Sequence, residues 1–465
     1  MEMIIDILYD IIWSPALLVL LLGAGLYFTI RTRCVQVRKL KVSVQLLFPG
    51  VMKKHRRGFS SFQAFCVALS GRVGTGNIVG VATAIALGGP GAVFWMWIVA
   101  FLGASTAFME STLAQLYKFK ADNKWRGGPA CYIHKGLGMR WLSIVFIVFT
   151  MLGYGTFLVM VQANGIAEAF DNSFSIPAYV VGVASVVLVG LVIVGGMQRI
   201  ARFASVVTPF MAVGYIIMAV IILSIHWRAI PGVFGMIFSC AFGANQMFSG
   251  LLGGAISMGV KRGLFSNEAG QGGGAIVSAS ADVDYPAQQG IVQSFSVYVD
   301  TLLVCTATAL MILCTDSYNV FNHATGAMIY AGAPDLGNNY VAFTQHAVDS
   351  VFSGFGGVFV AVALTFFVFT TLIAYYFYAD SSILYLCRIY NIKKTWKRAI
   401  IVWVYRVFLF SSIIIGACFQ TDLIWKIGDI GLGLTTWINV IALLFLCPRA
   451  VRALKTFERS GHNNS

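Results

Sequence analysis

Ser70-Gly71-Arg72-Val73-Gly74-Thr75-Gly76-Asn77 falls in the middle of an otherwise apolar stretch that runs from Phe59 to Leu87. Its three glycines (Gly71, Gly74 and Gly76) each weaken a helix by about 1 kcal/mol relative to alanine. In hydrocarbon, every carbonyl or N–H that such a sequence releases must find a partner inside the protein. Interrupted backbone at membrane depth is tolerated where it lines a cavity, and the free half-helix ends then hold an anion and a cation. The octapeptide therefore points to a solute site near the bilayer midplane.

The surrounding chain supports that reading. It has 465 residues, 58% hydrophobic and only 11% charged, with a mean hydropathy of +0.81. No soluble fold hides that much apolar surface, so an all-α polytopic membrane protein is expected. Eleven spans can be drawn, at 11–30, 59–87, 89–117, 141–165, 177–198, 204–225, 232–260, 287–314, 353–380, 398–418 and 421–446. The first is not a signal peptide, because Glu2, Asp6 and Asp10 stand where a signal carries positive charge.

A net charge of +14 invites a nucleic-acid reading, and the distribution of charge rejects it. Placing 31–58 in the cytoplasm assigns 28 of the 32 basic residues to cytoplasmic segments, Lys261 and Arg262 among them. The opposite loops carry Asp171, Asp316, Asp335 and Asp349. This bias sets the N-terminus outside and the C-terminus in the cytoplasm of a multi-pass inner-membrane protein. Nine cysteines, several inside spans (Cys66, Cys240, Cys305, Cys314, Cys418), suggest small hydrophobes and no disulfide framework. The six histidines lie in or beside loops with no i,i+4 pairing, so no metal site is expected beyond a monovalent cation.

Two spans are longer and more glycine-interrupted than the others: 59–87, and 232–260 with Gly243, Gly250, Gly253 and Gly254 around Asn245, Gln246 and Ser249. With the first span taken as an extra, the remaining ten split five and five. Each half opens on an interrupted span, and the two run in opposite directions. That is the pattern of an inverted repeat with a midplane site. Its expected parts are 1–58 (extra helix and basic loop), 59–225 (first repeat), 232–446 (second repeat) and 447–465 (cytoplasmic tail). The rival reading of the glycines is close helix packing through small residues, and around 243–254 the two are evenly matched. The connection 263–286 contains Gly-Leu-Phe-Ser-Asn-Glu-Ala-Gly-Gln-Gly-Gly-Gly (263–274). With no preceding strand and no GK[ST] it is not a nucleotide loop. An ordered cytoplasmic loop under the pore is the expectation.

Four ordered motifs then carry a resemblance. Gly88–Gly103 (GGPGAVFWMWIVAFLG) resembles the signature of the alanine or glycine:cation symporter family. Gly74-Thr75-Gly76-Asn77, Phe265-Ser266-Asn267-Glu268-Ala269-Gly270 and Val161-Gln162-Ala163-Asn164 match further elements of that family. The resemblance covers essentially the whole chain. It implies a LeuT-type 5+5 fold with two broken helices plus one extra N-terminal helix. It also implies sodium- or proton-coupled uptake of a small neutral amino acid by a monomer in contact with membrane lipid. No enzymatic activity, cofactor or nucleic-acid partner is implied.

A zwitterionic substrate needs an anion receptor, an ammonium acceptor and an apolar wall. The half-helix beginning near Gly74–Asn77 suits the carboxylate through its free N–H groups and positive dipole end. Gly74 and Gly76 permit close approach, and Thr75 and Asn77 add side-chain hydrogen bonds. Gln162 matches a substrate-contacting position of the family; read alone, a buried glutamine is interhelical glue. The cation is expected between the carbonyls near Ser70 and Val73 and the hydroxyls of Thr370 and Thr371. Read alone, that Thr-Thr pair bonds back to its own i−4 carbonyls. Tyr375, one turn beyond Thr371, stands where many family members carry tryptophan, and with Thr371 it is expected at the substrate. Its smaller ring leaves glutamine, serine or a D-amino acid as the alternative substrate. Phe248 and Leu251 are the contacts expected from the second interrupted span. Arg72, a charge inside the break, is expected to be functional, with Asp300 as its first candidate partner and Glu110 as its second. An intramembrane enzyme would need a catalytic dyad that the sequence lacks, and a channel would be distinguished by its unitary currents.

Overall fold

The computed structural model describes residues 2–48, 58–322, 325–392 and 394–460. Lys53, Lys54, Arg56, Arg57 and Lys393, the histidines at 55, 323 and 462, and tail residues 461–465 lie outside that set, as do the side chains of Gln246 and Ser249. Apart from two short hairpins (Phe119–Ala121 with Lys124–Arg126, and Asn319–Phe321 with Met328–Ala331) the regular structure is helical. Among the described residues eight helices are long and apolar enough to cross a membrane. They are Met3–Arg31, Gly91–Leu116, Arg140–Phe174, Gly196–Ile225, Pro286–Cys314, Gly356–Ile389, Thr395–Cys418 and Thr421–Arg459. A ninth crossing is the bent pair Ser61–Arg72 and Gly76–Gly88, whose axes differ by 55°. Ala178–Ile193 and Ile230–Ala241 are shorter apolar helices.

The sequence explains the bent pair locally. Ser60 and Gln63 form a capping box, with Oγ of Ser60 accepting from the Gln63 N–H and Oε1 of Gln63 accepting from the Ser60 N–H, both at 3.1 Å. The helix then stops at Arg72, because Val73 turns to an extended conformation (φ −77°, ψ 94°). A π-helical turn, Gly76–Gly80, restarts it, and Gly89 (φ +69°) with Pro90 ends it.

The expected single span 232–260 is not one helix. Ile230–Ala241 is followed by a 3-10 turn, Gln246–Leu251, and then by Leu252–Asn267, seven residues longer than the hydropathy boundary suggested. The expected loop 263–286 is likewise largely ordered within the core. It completes that helix, breaks at Glu268–Gly272, and restarts as Gly273–Ser278. Every residue from Gly259 to Ala281 is at least nine-tenths buried. Lys261 and Arg262 therefore do not belong to a solvated basic loop. Both lie inside the helix, Arg262 paired with Asp429 and Lys261 donating to the Tyr9 hydroxyl at 2.8 Å.

Residues 254–281 run antiparallel to 59–88. At one end the Gly254 carbonyl lies 3.1 Å from where a Gly88 Cβ would stand. At the other, Phe59 exchanges backbone hydrogen bonds with Ser280 and Asp282. Their breaks therefore lie side by side in mid-bundle. The remaining helices close round this pair through small residues. A Cβ at Gly416 would come within 2.4 Å of the Met160 backbone, and one at Gly153 within 3.0 Å of the Gly431 carbonyl.

Charge separates the two ends. At the Phe59 end Arg38 pairs with Glu458, Arg398 with Asp122, and Arg449 donates to the Gly136 carbonyl. Hydrogen bonding to Arg398 holds the Asp122 carboxyl below its usual range, and burial lowers the Lys118 ammonium to about 8. At the other end Lys426 pairs with Asp6, and Tyr330 donates to Asp316.

This packing yields a stability test. Gly416→Ala forces a methyl group into the Met160 backbone and should cost about 1–3 kcal/mol. Gly253→Ala has nothing among the described residues within 4 Å of the new Cβ and should stabilise by about 0.5–1 kcal/mol through helix propensity. Thermal unfolding of the two purified variants in detergent reads both signs.

Candidate functional site

The first break leaves its backbone groups to side chains from two other helices and from the turn itself. Asn77 reaches back so that its Oδ1 accepts the Gly74 N–H at 2.9 Å, capping the half-helix that it opens. The Thr75 N–H donates to Oε1 of Gln162 at 2.9 Å. The glutamine oxygen that the sequence offers to an ammonium is therefore engaged with the backbone of the break. A Cβ on Gly74 would lie 2.6 Å from that oxygen and 2.7 Å from Oγ1 of Thr371, so only glycine fits there. Gly76 is held closely as well, by the ring of Phe265 at 2.9 Å from an added Cβ.

On the other side of the break, Oγ1 of Thr371 lies 2.9 Å from the Ser70 carbonyl, 3.1 Å from that of Val73 and 2.8 Å from that of Phe367 in its own helix. One hydroxyl carries one proton, so it serves at most one of these three carbonyls. When it bonds back to Phe367, its lone pairs face two carbonyl oxygens at the negative end of a half-helix. Ser70, Val73 and Thr371 thus bring three oxygens together on one side of the break. Thr370 does not join them. Its hydroxyl bonds to the Phe366 and Phe367 carbonyls, both at 3.0 Å, and to Sδ of Met211 at 3.5 Å, so it faces a different helix.

Tyr375 is buried one turn along, its ring 5.1 Å from Tyr154 and 5.8 Å from Tyr378, and its hydroxyl faces the Glu268 carboxylate and the Gln162 amide. Phe248 and Leu251 are elsewhere. They lie against Gly89 at the end of the first broken helix, with Phe248 6.0 Å from the Tyr330 ring, and they pack in a separate hydrophobic cluster. The second segment contributes different residues, because its break is at Glu268–Gly272.

That second break supplies what the sequence reading missed. Asp300, from a π-helical stretch of Pro286–Cys314, accepts from Nδ2 of Asn77 at 2.7 Å, from Ser266 at 2.7 Å and from Thr301 at 2.8 Å. It ties the two broken segments to a third helix; its charge is felt by Arg72, but no direct hydrogen bond joins the two. Arg72 donates to Ser296 and to the Gln293 side chain, while Glu110 accepts from Asn439 at 3.0 Å. Nε and Nη2 of Arg72 have no hydrogen-bond partner among the described residues, and Nη2 would lie 2.6 Å from a Cβ on Gly274. Glu268, at φ +53°, accepts from the Tyr378 hydroxyl at 3.1 Å, and Tyr154 donates to Gln271 at 3.0 Å. The available signal was compositional, since Glu268–Gly274 mixes glycines with polar residues just as 70–77 does.

The profile of the sodium:alanine symporter family matches residues 1–465. A putative sodium/proton-dependent alanine carrier protein of Bacillus subtilis is 48% identical, over 97% of this chain and 91% of that one. A probable sodium/glutamine symporter of the same bacterium is 39% identical over 99% and 91%. A sodium/alanine symporter of Methanococcus maripaludis is 34% identical over 99% and 98%. The chain belongs to the sodium:alanine symporter family, a family of membrane transporters and not of enzymes.

Asn77 joins the break to Asp300, which gives a direct test. Asn77→Ala strands the Gly74 N–H and removes one of three donors to a buried carboxylate. Each stranded group should cost about 1–3 kcal/mol. The thermal midpoint in detergent should fall, and Asn77→Asp should not rescue it, because it sets a second carboxylate against Asp300.

Proposed function

We propose that the protein is a cation-coupled symporter that carries a small neutral amino acid, alanine foremost, into the cell. The observation that carries this is the pair of antiparallel broken helices, with a three-oxygen cluster (Ser70, Val73, Thr371) on one face of the first break and, on the other, backbone N–H groups of Gly74 and Thr75 held only by the side chains of Asn77 and Gln162. Sodium, with a proton as the alternative coupling ion, is read at the oxygen cluster. The substrate carboxylate is read at the N-terminal end of the second half-helix, Gly74–Asn77. There it competes with Gln162 for the Thr75 N–H, which frees the glutamine oxygen for the ammonium. Tyr375 bounds the side-chain space.

The architecture read here is eleven crossings in a LeuT-type arrangement: one extra N-terminal helix and two repeats of five in opposite orientation. The helix–break–helix Leu252–Ser278 supports starting the second repeat at Leu252, with Ile230–Ala241 as a connection. The basic residues gathered at the Phe59 end support a cytoplasmic location for that end, with Asp6, Asp316 and Asp422 outside. In the outward-facing state the cation closes the gap between the Gly356–Ile389 helix and the first break. This favours the substrate-loaded arrangement, from which the repeats rock to release both solutes inward. The cation gradient drives accumulation because the ion stabilises the state that holds the amino acid.

Uptake of radiolabelled alanine into proteoliposomes under an imposed sodium or proton gradient tests the reading. Thr371→Ala should raise the half-maximal sodium concentration roughly tenfold, equivalent to about 1.4 kcal/mol. Thr370→Ala, whose hydroxyl faces Met211, should shift it less than about twofold. An unchanged sodium dependence in Thr371→Ala would sink the ion position.

A second reading, glutamine or serine as the preferred substrate, is favoured by Tyr375 and by the glutamine symporter among the relatives. Tyr375→Trp should shrink the side-chain space and disfavour glutamine relative to alanine. The shift should be graded, since one methylene is worth about 1–3 kcal/mol. Competition of labelled uptake by alanine, serine and glutamine in the two proteins reads it, and an identical order in both would place Tyr375 outside the substrate space.

A further inference from the structure

A cleft of about 590 Å³ opens at the end of the bundle that carries Asp6 and Asp422. Its rim is exposed and polar (Asn338, Asp422, Lys426), and its deepest lining is buried: Thr83, Met258, Arg262, Trp425 and Asp429. Arg262 and Asp429 are paired there, each 3% exposed, and Arg262 also stacks over the Trp425 ring at 4.7 Å. The pairing is incomplete on both sides. Nε and Nη1 of Arg262, Nε1 of Trp425 and Oδ1 of Asp429 have no hydrogen-bond partner among the described residues. Unmet donors and an unmet carboxylate oxygen thus lie together just behind the buried end of a ligand-sized space, on residues that line it. Leaving such groups buried and unpaired costs free energy that a ligand recovers.

We propose that this cleft is a second amino-acid site, distinct from the one at the helix break. The free N–H groups of Arg262 and Trp425 take the α-carboxylate, and Oδ1 of Asp429 takes the ammonium. A simple anion would meet the Asp429 carboxylate, and a simple cation would meet the Arg262 guanidinium. A zwitterion satisfies both, and its volume fits a cleft in the range of small-molecule sites. The identity of the zwitterion as alanine or a close relative rests on the symport reading.

The site is also placed to hand its ligand on. Gly80 of the first broken helix lies beneath Trp425 and Arg262, at 3.7 and 3.9 Å from where its Cβ would be. Phe265 packs against Trp425, ring centroids 4.9 Å apart and planes tilted by 40°, and covers Gly76. The order from the cleft inward is therefore ion pair, two packed rings, then break. A zwitterion that pairs with both Arg262 and Asp429 weakens their bond to each other, and that bond is part of what closes the way to Gly76.

Equilibrium dialysis of the purified full-length protein with radiolabelled L-alanine in sodium buffer tests this. Wild type should bind two per chain. Gly76→Ala, which disturbs the break, should retain one. The double variant Arg262→Gln/Asp429→Asn keeps the pair hydrogen-bonded without charge and should reduce wild type from two to one. Trp425→Phe, which removes only the indole N–H, should weaken the second event roughly tenfold. Should Gly76→Ala not fold, the double variant read against wild type decides alone. One alanine per wild-type chain, lost in Gly76→Ala and unchanged in the double variant, overturns the second site and leaves symport intact. Two per chain without any gradient-driven uptake in proteoliposomes supports the cleft and overturns the symport reading instead.

Discussion

A helix interrupted in hydrocarbon exposes amide and carbonyl groups that water cannot reach, and an unmet group there costs several kcal/mol. The structure meets that cost at residues 73–75 with three side chains. Asn77 takes the Gly74 N–H, Gln162 takes the Thr75 N–H, and the Thr371 hydroxyl faces the carbonyls of Ser70 and Val73. Each comes from a different place in the chain, so the break fixes how the 140–174 and 356–389 helices stand around it. The partial character of that satisfaction is what makes it useful. A hydroxyl shared among three carbonyls and a glutamine oxygen on loan to the backbone are the contacts that the proposed cation and amino acid would displace.

The two breaks also constrain each other. Asp300 takes donors from Asn77 and Ser266, one on each broken segment, and Arg72 of the first segment lies against Gly274 of the second. A shift of either half-helix is therefore felt by the other through a charged hydrogen bond. The π-helical turns at 76–80, 153–157 and 298–305 all occur within this neighbourhood. Such turns loosen the regular ladder just where it has to rearrange.

The first break was legible because glycine, threonine and asparagine interrupt a long apolar run, and nothing in a membrane helix competes with that reading. The second was not, because its polar residues are numerous enough for hydropathy to assign 263–286 to a loop. Their burial depends on Tyr154, Tyr378, Gln293 and Asn77 supplying partners from afar, which no local window contains. The same limit explains Arg262, counted as a solvated cation although Asp429, 167 residues away, neutralises it. Thr370 and Thr371 are adjacent and chemically alike. Which of them faces the break is set by the rotation of a 34-residue helix, so the pair was readable and the choice within it was not. Phe248 and Leu251 failed for a related reason, since placing the break twenty residues early carried the expected contacts to the wrong end of the bundle.

The terminal helix, Thr421–Arg459, has 39 residues and so extends about 58 Å. It holds Asp429 near one surface and accepts the extra N-terminal helix there, through Trp13 on the Asp429 carbonyl and Trp437 on that of Ile12. Near the other surface it is held by Arg449 on Gly136. Between them, Gly431 rests directly on Gly153, backbone to backbone. That contact divides the helix unequally, about 15 Å on the Asp422 side and about 42 Å on the other. The longer arm contains Pro448, which takes one N–H out of the helical ladder. The far end is thereby freed to bend independently of the Gly431 contact, so the two faces of the bundle are coupled through a jointed element and not through a rigid rod.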